Sequence, residues 1–335
     1  MSNVADLGPP RSATPGSPSP DGEGDHRPVL LHPLIEHLQP RPGQVCVDGT
    51  LGAGGVTAAL AECVRPGGLV IAVDRDPAAV ERGRRRFRDD PTVRVVHGDF
   101  ADIDRILAAE GHDHADVITL DLGISSVQLD DPVRGFAFRF EGPLDMRLDP
   151  TSGDPTAADL VATLDEHALV TLIRDYGEER FARSIAGAIV RRRRDQPLTT
   201  TVELRELVAR AIPRRLWPKR IHPATKTFQA LRIAVNHELE SLEHGLQAAI
   251  TALRPGGRLG VISFHSLEDT LVKNALHVAA LTCLCPPQQP ICTCAHRASL
   301  SLRPRKAVKA DDAELIANPR SRSARLRVAV RLDDA

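Results

Sequence analysis

Residues 44–55 read Gln-Val-Cys-Val-Asp-Gly-Thr-Leu-Gly-Ala-Gly-Gly, a short apolar run closed by Asp48 and followed by a glycine-rich turn. Residues 69–74 form a second apolar run that also closes on an acid, Asp74. A strand, a glycine turn, a helix and a second strand ending in a carboxylate make the half-site of a nucleoside-binding α/β sheet. Glycines let the backbone approach a ligand, and a carboxylate after the second strand can accept from ribose hydroxyls. The turn is not a dinucleotide fingerprint, because Thr57 stands where Gly-x-Gly-x-x-Gly requires its third glycine. Asp48 would also repel a pyrophosphate. S-adenosylmethionine carries an ammonium group and no phosphate, so the turn favours a methyl donor over a nicotinamide cofactor.

Apolar runs and helical stretches alternate onward from this point. Strands are expected at 44–48, 69–73, 93–96 and 117–120, with helices at 54–64, 77–88 and 102–109 between them. Such alternation implies a parallel sheet with helices on both faces. From 130 to 223 no buried strand is legible, only helical periodicity, as at 176–194 and 201–211. The α/β pattern then resumes with a long helix over 226–253, a strand at 259–264, a helix at 267–279 and a half-exposed final strand at 324–330. The expected organisation is a tail over 1–25, a sheet domain built from 26–129 and 224–335, and a helical insert at 130–223.

The 335 residues are enough for one large domain with an insert. The net charge of −1 hides an asymmetry: residues 129–179 carry twelve acids and four bases, whereas 180–220 carry twelve bases and three acids. A surface polarised in this way suits a polyanion bound on one side. No apolar stretch approaches the roughly 18 residues of a membrane span. Residues 1–25, rich in Pro, Ser, Gly and Asp, have the composition of a disordered tail rather than a secretory signal. Six cysteines in such a chain point to a reducing cytoplasm.

A series of short motifs carries a more specific likeness. In order they are Asp48–Gly55 as above, Asp-Arg-Asp-Pro at 74–77, Asp-Leu-Gly-Ile-Ser-Ser at 121–126 and Gln-Leu-Asp at 128–130. There follow Arg-Gly-Phe at 134–136, Gly-Pro-Leu-Asp-Met-Arg at 142–147, Tyr-Gly-Glu-Glu-Arg at 176–180 and His-Pro-Ala-Thr at 222–225. The last two are Thr-Phe-Gln-Ala-Leu-Arg-Ile at 227–233 and Ser-Phe-His-Ser-Leu-Glu-Asp at 263–269. Together they resemble the bacterial 16S ribosomal RNA (cytosine-N4) methyltransferases of the RsmH/MraW family, from about residue 26 to 331. The resemblance implies a Rossmann-like class I methyltransferase sheet, S-adenosyl-L-methionine as methyl donor, 16S rRNA of the small ribosomal subunit as partner and a cytoplasmic location. It leaves the oligomeric state open, a homodimer included.

The resemblance also implies site residues. Gly54, Gly55 and Val56 would line the donor, their amides at a helix N-terminus suiting its carboxylate; many members have His at the position of Val56, so a backbone contact is the one expected. Asp74 would hold the ribose, Phe100 would border the adenine, and Gln128 would touch the donor; capping of the helix that starts at Pro77 falls better to Asp76, the residue just before that proline. Asp48 is open between a water-mediated donor contact and a capping role. Asp121 ends the fourth strand without the Asp-Pro-Pro-Tyr of many amine methylases, as acceptor for the target N–H or as a donor-placing group. His265 is a catalytic candidate whose competing role is structural. Phe136, Phe138 and Phe140 either stack on a displaced base or pack the insert. The basic runs 191–194, 214–220 and 303–327 are candidate phosphate contacts. Cys283, Cys285, Cys292 and Cys294 fall in two Cys-x-Cys pairs six residues apart. With no Cys-x-x-Cys spacing they are taken as reduced thiols, zinc being the alternative. The rival functions are a nicotinamide-dependent oxidoreductase, disfavoured by Asp48 and Thr57, and a ribosome-assembly factor that keeps the fold without catalysis.

Overall fold

The structure, a computed structural model, describes residues 28–333 apart from Pro287 and Pro290, so the expected tail at 1–25 lies outside the described residues. The chain opens with α1 (Leu31–Leu38), β1 (Val45–Asp48), α2 (Gly55–Val64), β2 (Leu69–Asp74), α3 (Pro77–Arg86), β3 (Val93–His97), α4 (Ile103–Ala109) and β4 (Ala115–Asp121). A helical stretch follows: α5 (Ser126–Asp130), α6 (Ala157–Thr163), α7 (Glu166–Asp175), α8 (Ala182–Asp195), α9 (Thr201–Ala211), α10 (Thr225–Asn236) and α11 (Glu238–Ala252). The chain then returns to the sheet through β5 (Leu253–Ser263), α12 (Ser266–Ala280), β6 (Leu300–Leu302), α13 (Asp312–Ala317) and β7 (Arg325–Arg331).

The strands form one seven-stranded sheet in the order β3-β2-β1-β4-β5-β7-β6. Strands β1 to β5 run parallel, and β7 is antiparallel to both neighbours. This is the Rossmann-like α/β sheet expected. Alternate residues feed opposite faces, as a strand's period of two requires. Val47, Ile71, Ile118, Leu120, Leu259 and Val261 pack against α4, α11 and α12, while Cys46, Val70, Val117, Ile262 and Val328 pack against α1 and α2. With both faces covered, the strands read as continuous apolar runs. The segment before the first strand docks as α1, and Gly260 is the reason it sits so close: a Cβ there would lie 2.9 Å from Leu34 and 3.1 Å from Leu38.

Helices α6 to α10 enclose a second apolar core, including Leu144, Met146, Leu169, Ile185, Leu204, Val208, Phe228 and Leu231. The starts of α6, α7 and α9 are fixed by Thr156, Asp165 and Thr200, whose side chains accept from amides in the first turn. Among the described residues no strand of the sheet falls between 122 and 252.

Two expectations are corrected. The long helix over 226–253 is two helices, broken at His237 with φ 50°. Helix α10 buries Phe228, Leu231 and Val235 in the insert core, whereas α11 buries Leu242, Leu246 and Ala249 against the sheet. One straight helix cannot serve both layers. The helix expected from 176 begins only at Ala182, because Gly177 lies where a Cβ would stand 2.6 Å from two carbonyl oxygens and Glu178 has φ 49°. The structure also holds β6, too short to show periodicity. No described helix is long and apolar enough to cross a membrane.

Candidate active site

Strand order reverses between β1 and β4, and the crevice outside their carboxyl ends is where ligands of open α/β sheets bind. Three carboxylates stand there, Asp48, Asp74 and Asp121, each the last residue of its strand.

Asp48 braces the glycine turn. Its Oδ2 accepts from Thr57 Oγ1 at 2.6 Å and its Oδ1 from the Thr50 amide at 3.2 Å, and the side chain is fully buried. Burial, reinforced by the charge of Asp74, pushes its carboxyl up to about 6 despite those bonds. Thr57 thus has a structural reason to replace the third glycine of a dinucleotide turn. Gly49 lets the turn lie flat on β4, since a Cβ would stand 2.4 Å from Leu120 and 3.0 Å from Phe100.

Gly54, with φ 78°, caps α2 and offers no side chain to the amides of Gly55 and Val56 behind it. Both glycines are also walled in: a Cβ would stand 2.9 Å from Phe87 at Gly54 and 2.4 Å from Pro28 at Gly55. Val56 turns its side chain into the core beside α1, leaving only its backbone towards the crevice. Asp74 accepts from the Gly52 amide at 2.8 Å and the Asp76 amide at 2.9 Å. Burial raises its carboxyl above the usual range. Each of its oxygens keeps a second lone pair.

Phe100 is half-buried, packed between the Gly49 turn and α11, where a Cβ at Gly245 would meet its ring at 2.4 Å. Asp99 is occupied by the Ala101 amide at 2.9 Å and Ser241 Oγ at 3.2 Å. Gln128 is almost fully buried: Nε2 donates to Asp76 Oδ2 at 2.8 Å and Oε1 accepts from the Ser125 amide at 2.8 Å. Asp76 is a residue whose full role sequence reading missed. Besides capping α3 through the Ala78 amide at 2.9 Å, it receives Gln128 and, at 2.7 Å, Arg134 Nη1. The Asp-Pro signal revealed the cap and nothing of the two distant partners.

Asp121 differs from the other two carboxylates. Its amide donates to Thr50 Oγ1 at 2.7 Å, but its Oδ1 is buried with no hydrogen-bond partner. Burial, then the charges of Asp48 and Glu268, push its carboxyl up to about 8.

His265 caps α12. Its Nδ1 accepts from the Glu268 amide at 3.4 Å, and Glu268 Oε2 returns bonds to the amides of Phe264 at 2.8 Å and His265 at 3.2 Å. Nε2 lies 3.0 Å from Glu268 Oε1, within ion-pair reach but off hydrogen-bond geometry. Burial opposes the Glu268 charge, yet His265, Arg232 and the Phe264 amide together hold its carboxyl below the usual range. Glu238, His265 and Glu268 bring ligand atoms within 4.8 Å of one another, but Arg232 already fills the position of a cation there, bonded to both Glu238 oxygens at 2.8 Å.

The aromatic run divides. Phe136 is buried in the insert core, and Phe138 packs edge-on to Phe228 with centroids 5.0 Å apart. Phe140 is 40% exposed with Arg139 4.8 Å over its ring. The basic runs divide as well. Arg193 is tied to the carbonyls of Val161 and Leu164, and Arg325 and Arg327 both pair with Asp269, so these serve the fold. Arg214, Arg215, Lys219 and Arg220 are exposed.

The sequence profile of the MraW methylase family matches residues 23–332. A protein named ribosomal RNA small subunit methyltransferase H from Trichlorobacter lovleyi is 49% identical over 311 residues, covering 92% of this chain and 99% of that protein. Proteins of the same name from Geobacter sulfurreducens and Thermomicrobium roseum are each 50% identical over 308 residues, covering 92% of this chain and 99% and 94% of theirs. Matches of this length and identity, on a sheet of this order with these strand-end carboxylates, mean that the chain belongs to the MraW methylase family.

Proposed function

We propose that this chain methylates N4 of a cytidine in 16S ribosomal RNA of the small ribosomal subunit, with S-adenosyl-L-methionine as donor. The observation that carries this reading is the buried, unpartnered Oδ1 of Asp121 at the switch point of a methylase-family sheet. The residues present fit the donor. The uncapped amides of Gly55 and Val56 suit its carboxylate, Asp74 its ribose hydroxyls and Phe100 its adenine face. Gln128, immobilised by Asp76 and Ser125, has a second Nε2 hydrogen to give.

Bound there, the donor supplies an electrophilic methyl group on a sulfonium. The remaining task belongs to Asp121. Cytosine N4 is a weak nucleophile because its lone pair is delocalised into the ring. A carboxylate that accepts one N4–H draws that lone pair back onto nitrogen and takes the proton as the N–C bond forms and the S–C bond breaks. A base near pH 8 is strong enough for this, and a neighbouring sulfonium favours its ionised form. His265 is read as the cap that sets the start of α12 beside Asp121.

The 130–223 insert is read as the RNA-recognition part, with Phe140 available to stack and Arg214, Arg215, Lys219 and Arg220 available to phosphates. Ribosomal RNA as substrate is consistent with a cytoplasmic location.

The test uses purified protein, radiolabelled donor and small ribosomal subunits from cells lacking the enzyme, with digestion of the RNA to nucleosides. Label in N4-methylcytidine, or in its 2′-O-methylated form, is the expected result. Donor binding without transfer to cytidine would overturn the proposed target.

A further inference from the structure

We propose that Cys283, Cys285, Cys292 and Cys294, in the loop between α12 and β6, bind a structural zinc ion. Their sulfurs stand at mutual distances of 3.4 Å (Cys283–Cys292), 3.6 Å (Cys292–Cys294), 3.8 Å (Cys283–Cys294) and 4.0 Å (Cys285–Cys292). All four lie within 4.8 Å of one another. Ligands on a tetrahedral zinc with bonds of about 2.3 Å are about 3.8 Å apart, the middle of that spread. The Cys-x-Cys spacing, which argued for ordinary thiols in the sequence, is compensated by the fold of the loop, which brings the two pairs face to face.

The backbone around the sulfurs is arranged for thiolates. The amides of Cys285 and Leu284 point at Cys283 Sγ and Cys294 Sγ, each at 3.3 Å, and the Thr293 amide points at Cys285 Sγ at 3.4 Å. Such outer bonds spread negative charge and orient metal-bound sulfur. The loop also needs a cross-link. The described residues of 281–299 hold no helix or strand, and Leu284 and Ile291 are exposed. A connection of this length without secondary structure or a core of its own requires another source of order, which a metal supplies.

Four thiolates complete the coordination shell and leave no open position, which makes the role structural. The site is also remote from the crevice, because α12 separates them by its 15 residues, about 22 Å. A set of four sulfurs suits zinc or iron; zinc is chosen because methyl transfer from a sulfonium is redox-neutral.

Elemental analysis of untagged, full-length protein purified without chelators should find about one zinc per chain. Less than about a tenth of an equivalent, or iron in its place, would overturn the proposal. A Cys292→Ser/Cys294→Ser variant should lose the metal while Cys63→Ser keeps it, and zinc retained by the double variant would place the ion elsewhere. If the double variant fails to fold, wild-type protein produced in zinc-depleted, cobalt-supplemented medium decides the matter. Tetrahedral thiolate–cobalt absorption bands are expected; cobalt-loaded protein without them refutes the site.

Discussion

Asp121 keeps its proton up to about pH 8 because burial and then the charges of Asp48 and Glu268 oppose ionisation. The folded carboxyl therefore titrates far above its ordinary 3.8. As pH rises from about 4 to about 8 the unfolded chain releases this proton and the folded chain does not, so stability falls across that window. Asp121→Asn removes the conflict. Thermal melts should show the variant stabilised by at least about 1 kcal/mol, with a larger gain at pH 8 than at pH 5. Turnover should fall by roughly 10²–10⁴ with donor affinity retained, and the wild-type rise of kcat/KM towards pH 8 should disappear. An equal gain at both pH values would show that the carboxyl is not held protonated. His265 carries the opposite expectation. Asn also caps helices well, so His265→Asn should cost less than about 1 kcal/mol and change turnover less than about tenfold. A hundredfold loss at full donor affinity would put the ring in the chemistry.

Asp76 fastens three elements at one buried point: the start of α3, the Gln128 side chain of α5 and the Arg134 guanidinium at the entry to the insert. Asp76→Ala strands an almost buried guanidinium and removes a cap, so chemical denaturation should register a loss of about 3–5 kcal/mol. A loss below about 1 kcal/mol would mean that water replaces the carboxylate. The seat of Phe100 is equally specific. In Gly245→Ala the new methyl meets the ring at 2.4 Å and must displace it. Overpacking of this kind costs about 1–3 kcal/mol. Calorimetry should find weaker donor binding alongside the lower melting temperature; unchanged affinity would separate Phe100 from the donor.

At the scale of the molecule, the insert is bound to the sheet layer at several separate points around the crevice. Arg134 reaches Asp76, Arg75 Nη1 after β2 donates to the Asn236 carbonyl at 2.9 Å, Arg320 reaches Asp130 at 3.3 Å, and Ser266 contacts Glu178. The exposed bases at 214–220 lie on the insert, on the basic side of the charge asymmetry. Replacing Arg214, Arg215, Lys219 or Arg220 singly by Glu should weaken RNA binding across sequences and lower the salt slope by about one per lost phosphate contact. Donor binding should not change. An unaltered salt slope would move the RNA face elsewhere.

Apolar period and glycine turns are local properties of the chain, so the layered sheet, the alternation of its first four strands with helices, and the acids at the strand tips were legible in the sequence. It also marked Asp76 as a helix cap and the four clustered cysteines as an unsettled group. The roles of those tips come from the packing around them. Asp48 and Asp121 end neighbouring strands with the same residue type, yet Thr57 and Thr50 satisfy one and leave the other with an orphan oxygen. The same holds for Gln128 meeting Asp76 across 52 positions, for the break at His237 between two cores, and for two pairs of sulfurs brought together by a loop. Each depends on how the folded chain sets side chains against one another, which no local pattern encodes, and burial sets the strength of the charges brought together.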